Sequence, residues 1–201
     1  MNEGRPEKQD RRIRKTRKLL LHGLTQLMEK KSIKHITVRE LTDLCDLNRA
    51  TFYLHYRDIY DMVEKIENEM LENFNTAVNK HSTEELKENP SLIFIEIFEF
   101  IYENSDMCRV LLGENGDYAF VEKLKNIIKT KAFSEWLNFY SDDNTGVDEE
   151  LYYSFVVSGC IGAIRYWTDE DFRTSADEMA VKVADMVLNV LNFLENNKKN
   201  L

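Results

Sequence analysis

One stretch of the sequence, Thr37–Tyr56, concentrates side chains that can hydrogen-bond to phosphates and to base edges. Arg49, Thr51, Tyr53 and His55 lie within seven positions and are polar or amphipathic groups that can face outward from a short helix. The stretch is typical of two short helices joined by a tight turn. This helix-turn-helix pattern lays its second helix in the DNA major groove, and it predicts DNA binding.

Capping residues predict where the first of these two helices begins. Thr37 can cap the helix, and Glu40, three residues later, can complete a capping box. Val38, Leu41 and Leu44 then recur on one face, which predicts that they point into a small core.

The second helix is predicted from the turn before it and from its own cap. Cys45–Leu47 forms the turn, and the Asn48 side-chain oxygen can accept from the free amides ahead of it. Phe52 is expected to point inward. The donor-bearing side chains are left on the outside, where they can reach a partner.

The run Asn48–Tyr56, preceded by Thr37 and Val38, resembles the DNA-binding signature of the TetR family of bacterial transcriptional regulators. The resemblance covers Arg12 to Val63. It implies an all-α chain of about nine helices: an N-terminal three-helix helix-turn-helix DNA-binding domain, then a larger helical ligand-binding and dimerisation domain. The implied function is a sequence-specific transcriptional regulator, a dimeric repressor that a small-molecule effector releases from a palindromic operator.

The sequence departs from the family pattern at two positions. Asp46 occupies the turn position that usually holds Gly, and Asp tolerates a left-handed backbone better than most residues. Ile59 replaces a Lys that usually contacts phosphate, and Arg57 is the expected substitute.

We expect Arg49 and Tyr53, which lie on the second helix, to reach base edges or methyl groups. Phosphates should be bound by Thr37, Thr51, His55 and Arg57. The basic segment Arg11–Lys18 is also expected to contact the DNA backbone. The expected DNA-binding residues are Thr37, Asn48, Arg49, Thr51, Tyr53, His55, Tyr56 and Arg57.

Charge divides the chain in a way that agrees with this interpretation. The net charge is −9, but residues 1–57 hold 14 Lys and Arg against 7 Asp and Glu, a balance of +7. Residues 58–201 hold 13 against 29, a balance of −16. The positive part can meet phosphate and the acidic part is repelled by it. We expect a disordered tail over 1–10, the DNA-binding domain over 11–57 and the effector-binding and dimerisation domain over 58–201.

Composition bounds the class of protein. Seven Gly and two Pro in 201 residues favour helices throughout. The three cysteines have no paired spacing and are expected to be reduced thiols. No apolar run approaches the ~18–20 residues of a membrane span, and no signal region follows the charged N-terminus. We therefore expect a cytoplasmic protein with no membrane partner.

Beyond the DNA-binding stretch, periodicity predicts further helices. A fourth helix should run from Asp58 to about Lys80, and the resemblance makes it the connection between the two domains. The polar segment His81–Asn89 predicts a loop, after which Pro90 begins a helix that is apolar nearly all round. A helix over about Tyr118–Phe139 and a polar loop at Asp142–Asp148 follow.

Aromatic residues are abundant between residues 90 and 170, and they have two interpretations. An ordinary core accounts for any one of them, whereas together they resemble the effector cavity of the family, which is mostly apolar with a few polar groups. The expected pocket residues are Phe94, Phe98, Tyr102, Phe120, Trp136, Phe155 and Arg165.

The last two helices of the chain resemble the dimerisation pair of the family, which packs with its mate as a four-helix bundle. Closure of the intramolecular core alone is the alternative. The expected interface residues are Tyr152, Phe155, Gly159, Ala163, Val183, Val187 and Leu191.

Catalytic and metal-binding motifs do not account for this sequence. Its four His are scattered, without an HExxH, a P-loop, a G-x-S-x-G or a dinucleotide fingerprint. We expect no enzyme activity, no cofactor and no metal. Two alternatives stay open: an interaction module on the same fold that does not bind DNA, and an activator or partner-dependent regulator in place of a repressor.

Overall fold

The structure is a computed structural model that describes residues 5–112, 118–130 and 149–198. Those ranges contain ten α-helices and a 3₁₀ turn at Ile33–His35 but no strand, which confirms the all-α prediction. The helices are α1 Arg5–Met28, α2 Val38–Leu44, α3 Arg49–Tyr53, α4 Ile59–Val78, α5 Thr83–Glu88, α6 Ser91–Glu103, α7 Ser105–Leu111, α8 Tyr118–Ile128, α9 Glu149–Asp169 and α10 Ala176–Lys198. Among the described helices, none is both long enough and apolar enough to cross a membrane.

Several predicted features lie outside the described residues. They include Trp136, the end of the predicted Tyr118–Phe139 helix and the Asp142–Asp148 loop. Leu191 lies in α10, but its side chain is also outside the description. At the other end, α1 begins at Arg5, within the segment for which the sequence predicts a disordered tail.

One short helix replaces a predicted loop. The sequence predicts a loop over His81–Asn89, and this prediction is wrong because α5 forms there. The Ser82 hydroxyl accepts from the Glu85 amide at 3.3 Å, and the Glu85 carboxylate accepts from the Ser82 amide at 2.8 Å. This capping box satisfies two free amides of a helix that is otherwise polar.

Two compact units make up the described chain. The first ends at Glu69 and the second begins at Met70, so the boundary falls inside α4. The first unit contains α1, α2, α3 and the first half of α4. The second contains the rest of α4 and the remaining helices.

The core of the first unit forms where α1, α2 and α3 meet. Leu20, Leu24, Leu41 and Phe52 are fully buried there. Gly23 lets α1 approach α2 closely, since a Cβ at that position would overlap the Cys45 sulfur. The close packing holds α2 and, through the turn that follows, α3.

The core of the second unit is built around α6, which packs mainly against α10. As predicted from its sequence, α6 is apolar nearly all round, and Ile93, Phe94, Phe98 and Phe100 are all buried. A helix buried on several sides can have small cavities along it, and two such cavities lie beside α6.

Candidate functional site

The first helix of the helix-turn-helix begins at its predicted cap. Thr37 Oγ1 accepts from the Glu40 amide at 3.2 Å. The Glu40 carboxylate, which the sequence predicts would complete a capping box, accepts instead from Lys31 Nζ at 2.5 and 2.6 Å. This ion pair links the first turn of α2, through Glu40, to Lys31 in the segment that follows α1.

The inward face of α2 differs from the prediction. Leu41 and Thr42 are fully buried, whereas Leu44 is 49 % exposed, so the prediction of an inward Leu44 is wrong. The buried Thr42 hydroxyl donates to the Val38 and Arg39 carbonyls at 2.9 and 3.0 Å. These bonds satisfy a polar side chain inside the core.

The turn between the two helices is a Schellman motif. Asp46 takes the left-handed conformation with φ 52°, which confirms that Asp replaces the usual Gly here. The Leu47 amide donates to the Thr42 carbonyl at 2.9 Å, and the Asp46 amide donates to the Asp43 carbonyl at 3.4 Å. Both bonds satisfy carbonyls at the end of α2 and fix the direction in which the chain leaves it.

The second helix, α3, is held by its cap and by one aromatic ring. Asn48 Oδ1 accepts from the Ala50 amide at 2.8 Å, as predicted. Phe52 is fully buried and packs against Tyr56 with ring centroids 5.6 Å apart. The opposite side of α3 is open to solvent, and Tyr53 is 58 % exposed there.

The expected DNA-binding residues divide by exposure. Thr37, Asn48, Arg49, Tyr53 and Arg57 are exposed, and Thr51 and His55 are half-buried. Tyr56 is only 4 % exposed, so its ring belongs to the core. Sequence reasoning also missed an exposed apolar neighbour on this side, Leu54.

Arg17 of α1 contacts both Tyr56, which follows α3, and Glu69 of α4. Its Nε donates to the Tyr56 hydroxyl at 3.3 Å, and its Nη2 binds the Glu69 carboxylate. Both bonds favour the charged guanidinium and raise the pKa of Arg17. Burial and the nearby Arg17 charge lower the pKa of His55, which favours the neutral imidazole.

Asp61 ties the end of the helix-turn-helix to α4. Its carboxylate accepts from the Arg57 amide and from Arg57 Nε, both at 2.9 Å, and from Lys65 Nζ at 3.0 Å. Lys65 Nζ also donates to the His55 carbonyl at 3.2 Å. These contacts lower the pKa of Asp61 to about 2. The hydrogen bond from the Arg57 amide contributes most, and the one from Lys65 comes next.

Arg57 thus has a partner within the protein, yet its side chain stays 79 % exposed. Ile59, at the position where the family usually has Lys, is 4 % exposed and belongs to the core. The charge near this helix start therefore comes from Arg57 and Lys65.

Exposed basic residues of α1 extend the positive surface of the first unit. Residues Arg11, Arg12, Arg14, Lys15 and Lys18 are all exposed. These residues begin more than one turn inside α1, beyond the reach of the dipole at its start, so the positive surface comes from their own charge.

Two apolar cavities are lined by described residues of the second unit. The larger, about 90 Å³, lies between α5, α6, α8, α9 and α10, and Phe94 and Phe98 line it as predicted for the pocket. The smaller, about 40 Å³, is lined by Phe120.

The other expected pocket residues lie elsewhere. Tyr102 is 53 % exposed and stacks on Trp167, and Phe155 is 64 % exposed. Arg165 is exposed and its Nε donates to the Leu112 carbonyl at 2.7 Å, at the end of α7. Aliphatic side chains that the sequence prediction omitted, mostly isoleucine and valine, make up most of the larger cavity wall.

The expected interface residues also divide by exposure. Tyr152, Val183 and Val187 are buried within the chain itself. Phe155 and Gly159 are exposed, and Ala163 is half-buried. The exposed side of α9 is a continuous stripe, which we call the α9 stripe; its residues are Leu151, Phe155, Gly159, Gly162 and Tyr166.

A short exposed helix with side-chain donors, positioned by a Schellman turn and two caps on a basic unit, defines the class of helix-turn-helix DNA-binding transcriptional regulators. Comparison with known proteins identifies the family. Residues 88–198, more than half of the chain, match a TetR-type family model described as transcriptional regulator C-terminal region. The chain belongs to the TetR family of transcriptional regulators.

Individual relatives are distant. The chain is 20% identical over 169 residues to YxbF, an HTH-type transcriptional regulator of Bacillus subtilis (strain 168), across 82% of this chain and 43% of that protein. It therefore spans less than half the length of that relative.

Solved structures are similar over nearly the whole chain. One is a TetR transcriptional regulator from Streptococcus agalactiae 2603V, with a TM-score of 0.58 and 18% identity over 89% of this chain and 97% of that chain. Another is NalD, the secondary repressor of the MexAB-OprM multidrug efflux pump in Pseudomonas aeruginosa, with a TM-score of 0.58 and 13% identity over 88% of this chain and 95% of that chain. At these identities the likeness shows the fold alone.

Proposed function

We propose that this regulator is a dimeric repressor that binds a palindromic operator through α3 and is released when a small apolar effector occupies the second unit. The main support for the proposal is the exposure of side-chain donors on the outer side of α3. Arg49 and Tyr53 are exposed there, on a helix whose direction is fixed by the Asp46 turn and the Asn48 cap.

In this proposal, side chains have separate roles at the DNA. Arg49 and Tyr53 read base edges or thymine methyl groups, and Thr37, Thr51 and His55 contact phosphates. A neutral His55 contributes a ring N–H donor without a charge. Tyr56, being buried, positions α3 from behind and touches no DNA.

Arg57 is proposed as a phosphate contact whose direction is set by Asp61. The carboxylate accepts along the Nε–Nη2 edge of the guanidinium, and the exposed remainder of the group can donate outward. The net charge of +7 over residues 1–57 supports the orientation, because the acidic remainder of the chain is repelled by phosphate.

The α9 stripe supports the proposal of a two-fold dimer. Leu151, Phe155 and Tyr166 are 64–67 % exposed, and open space lies over Gly159 and Gly162. Large exposed apolar side chains in a row indicate an interaction surface, and the missing Cβ atoms let a second helix approach closely.

The cavities support the proposal of an apolar effector. Met70 and Phe74, which line the smaller cavity, belong to α4. Because α4 begins directly after the helix-turn-helix, we propose that it transmits effector binding to the DNA-binding side chains. Coupling of this kind typically amounts to about 1–3 kcal/mol.

The proposal is tested by selecting binding sites from a pool of random duplexes and then sizing the complex with the selected duplex. We expect a palindromic motif bound by two copies of the chain. The alternative of an interaction module that does not bind DNA predicts no enriched motif and no salt-dependent binding.

The direction of regulation needs a separate measurement. A reporter gene that carries the selected operator downstream of its promoter should be expressed more strongly when the regulator is deleted. Lower expression after deletion would support the alternative of an activator.

A further inference from the structure

The two cavities of the second unit share one wall. Four side chains line both the larger and the smaller cavity, and they come from three helices: Ile97 of α6, Ile128 of α8, and Ile161 and Ile164 of α9. Rotation of these isoleucine side chains would join the two cavities into one elongated space.

The chemistry of the walls excludes a charged or strongly polar buried group. Apart from the Cys160 sulfur, the larger cavity is lined by hydrocarbon side chains. Burial raises the pKa of the Cys160 thiol to about 11, so it is protonated and a weak donor. In the smaller cavity the ammonium of Lys125 already binds Glu122 at 2.7 Å. A buried polar group without a partner is unfavourable, so the part of a ligand inside must be hydrocarbon.

The size of the cavities favours a chain over a ring. An apolar cavity of ~150 Å³ admits benzene, whereas these cavities measure about 90 and about 40 Å³. Each cavity is smaller than that, so a narrow alkyl chain that extends through both fits the space better than a ring confined to one.

The ends of the elongated space differ. Leu86 of α5 and Pro90 line the larger cavity and are half-buried, so this end lies near the surface. Met70 and Phe74 of α4 line the smaller cavity at the other end, and both are buried.

We propose that the effector of this regulator carries an unbranched alkyl chain, whose polar head stays beside α5 and whose tail passes the four isoleucines to reach α4. The link from this site to DNA release rests on the proposed function. The binding of the chain does not, because it is measured without DNA.

The test uses straight-chain primary alcohols, from butanol through hexanol and octanol to decanol, with the full chain and no DNA. Calorimetry should show affinity rising about fourfold with each added methylene, the equivalent of ~0.8 kcal/mol per buried CH₂. The rise should continue beyond butanol, because the tail enters the second cavity. An affinity that stops rising at butanol, or equal affinities for hexanol and cyclohexanol, would overturn the proposal.

A matched pair of variants tests the shared wall. Ile97→Ala and Ile93→Ala remove the same three carbons one turn apart on α6, but Ile93 lines the larger cavity alone. Ile97→Ala should raise the affinity for decanol relative to butanol by about fifteenfold, because about two methylenes then enter the second cavity without displacing a side chain. Ile93→Ala should change both affinities by the same factor. An identical response of the two variants would contradict the shared wall.

Two further measurements keep the result interpretable. If an alanine variant fails to fold, Ile97→Val and Ile93→Val give the same comparison with a smaller effect. Operator binding is measured separately, with and without decanol. Chain-length-dependent binding that leaves operator affinity unchanged supports the alkyl site and contradicts its role as the effector site.

Discussion

Gly23→Ala tests whether close packing of α1 against α2 positions the DNA-binding helix. An added Cβ would overlap the Cys45 sulfur and lie 3.1 Å from Leu41 Cδ1. Neither neighbour moves easily, because the Cys45 thiol lies 3.2 Å from the Leu19 carbonyl that accepts from it and Leu41 is fully buried.

Two opposing effects set the magnitude. Alanine within a helix is favoured over glycine by about 1 kcal/mol, and overpacking a core costs about 1–3 kcal/mol. We expect Gly23→Ala to lower the free energy of unfolding by about 1 kcal/mol, the central value of the difference. Operator affinity should fall as well, because α2 must shift and the turn before α3 follows it.

A double-mutant cycle isolates the contact. Cys45→Ala removes the sulfur that the new Cβ meets, so Gly23→Ala in that background should be neutral or stabilising by up to about 1 kcal/mol. Urea unfolding of the wild type, both single variants and the double variant gives the coupling. An equal loss of stability from Gly23→Ala in both backgrounds would refute the packing argument.

Three further predictions concern the α9 stripe, the Asp61 contacts and Tyr56. Phe155→Glu should convert the proposed dimer to a monomer in sedimentation velocity, whereas Lys123→Glu, a charge reversal on the exposed side of α8, should leave it intact. The pKa of Asp61 is lowered from 3.8 to about 2, so its stabilising effect is complete above pH 3.8 and is lost as the pH falls through 2. The stability of Asp61→Asn should therefore vary less across that interval, and parallel pH profiles of variant and wild type would argue against these contacts. Tyr56→Phe removes the acceptor for Arg17 and should lower the free energy of unfolding by about 0.5–1.5 kcal/mol without changing base preference in a binding-site selection.

Features set by neighbouring residues could be predicted from the sequence. The caps at Thr37 and Asn48 and the left-handed Asp46 each depend on a few adjacent positions, and all three predictions are confirmed. The helix at Thr83–Glu88 also has a local signal, the Ser82 capping box. A loop is predicted instead because the segment is predominantly polar.

Features set by packing could not be predicted in the same way. Periodicity placed Leu44 inside, but α2 turns Leu41 and Thr42 inward because α1 and α3 contact it on that side. Tyr56 is predicted to bind DNA because it belongs to the run that resembles the family signature. Its ring instead packs against Phe52 in the core.

The cavities were the hardest feature to predict. Aromatic content suggested a pocket, yet Tyr102 and Phe155 are exposed, and most of the wall is aliphatic. Aliphatic residues are the ordinary material of any core, so their sequence positions do not reveal where packing leaves space.

Arg49→Ala tests whether the outer side of α3 reads DNA sequence. Binding-site selection with wild type and variant should give the same palindrome with relaxed preference at one base pair in each half-site. Affinity for the wild-type operator should fall by about 1–3 kcal/mol for each guanine that the shortened side chain can no longer reach. A reduction in affinity that is uniform across all sequences, or an unchanged base preference, would contradict direct reading of bases by this helix.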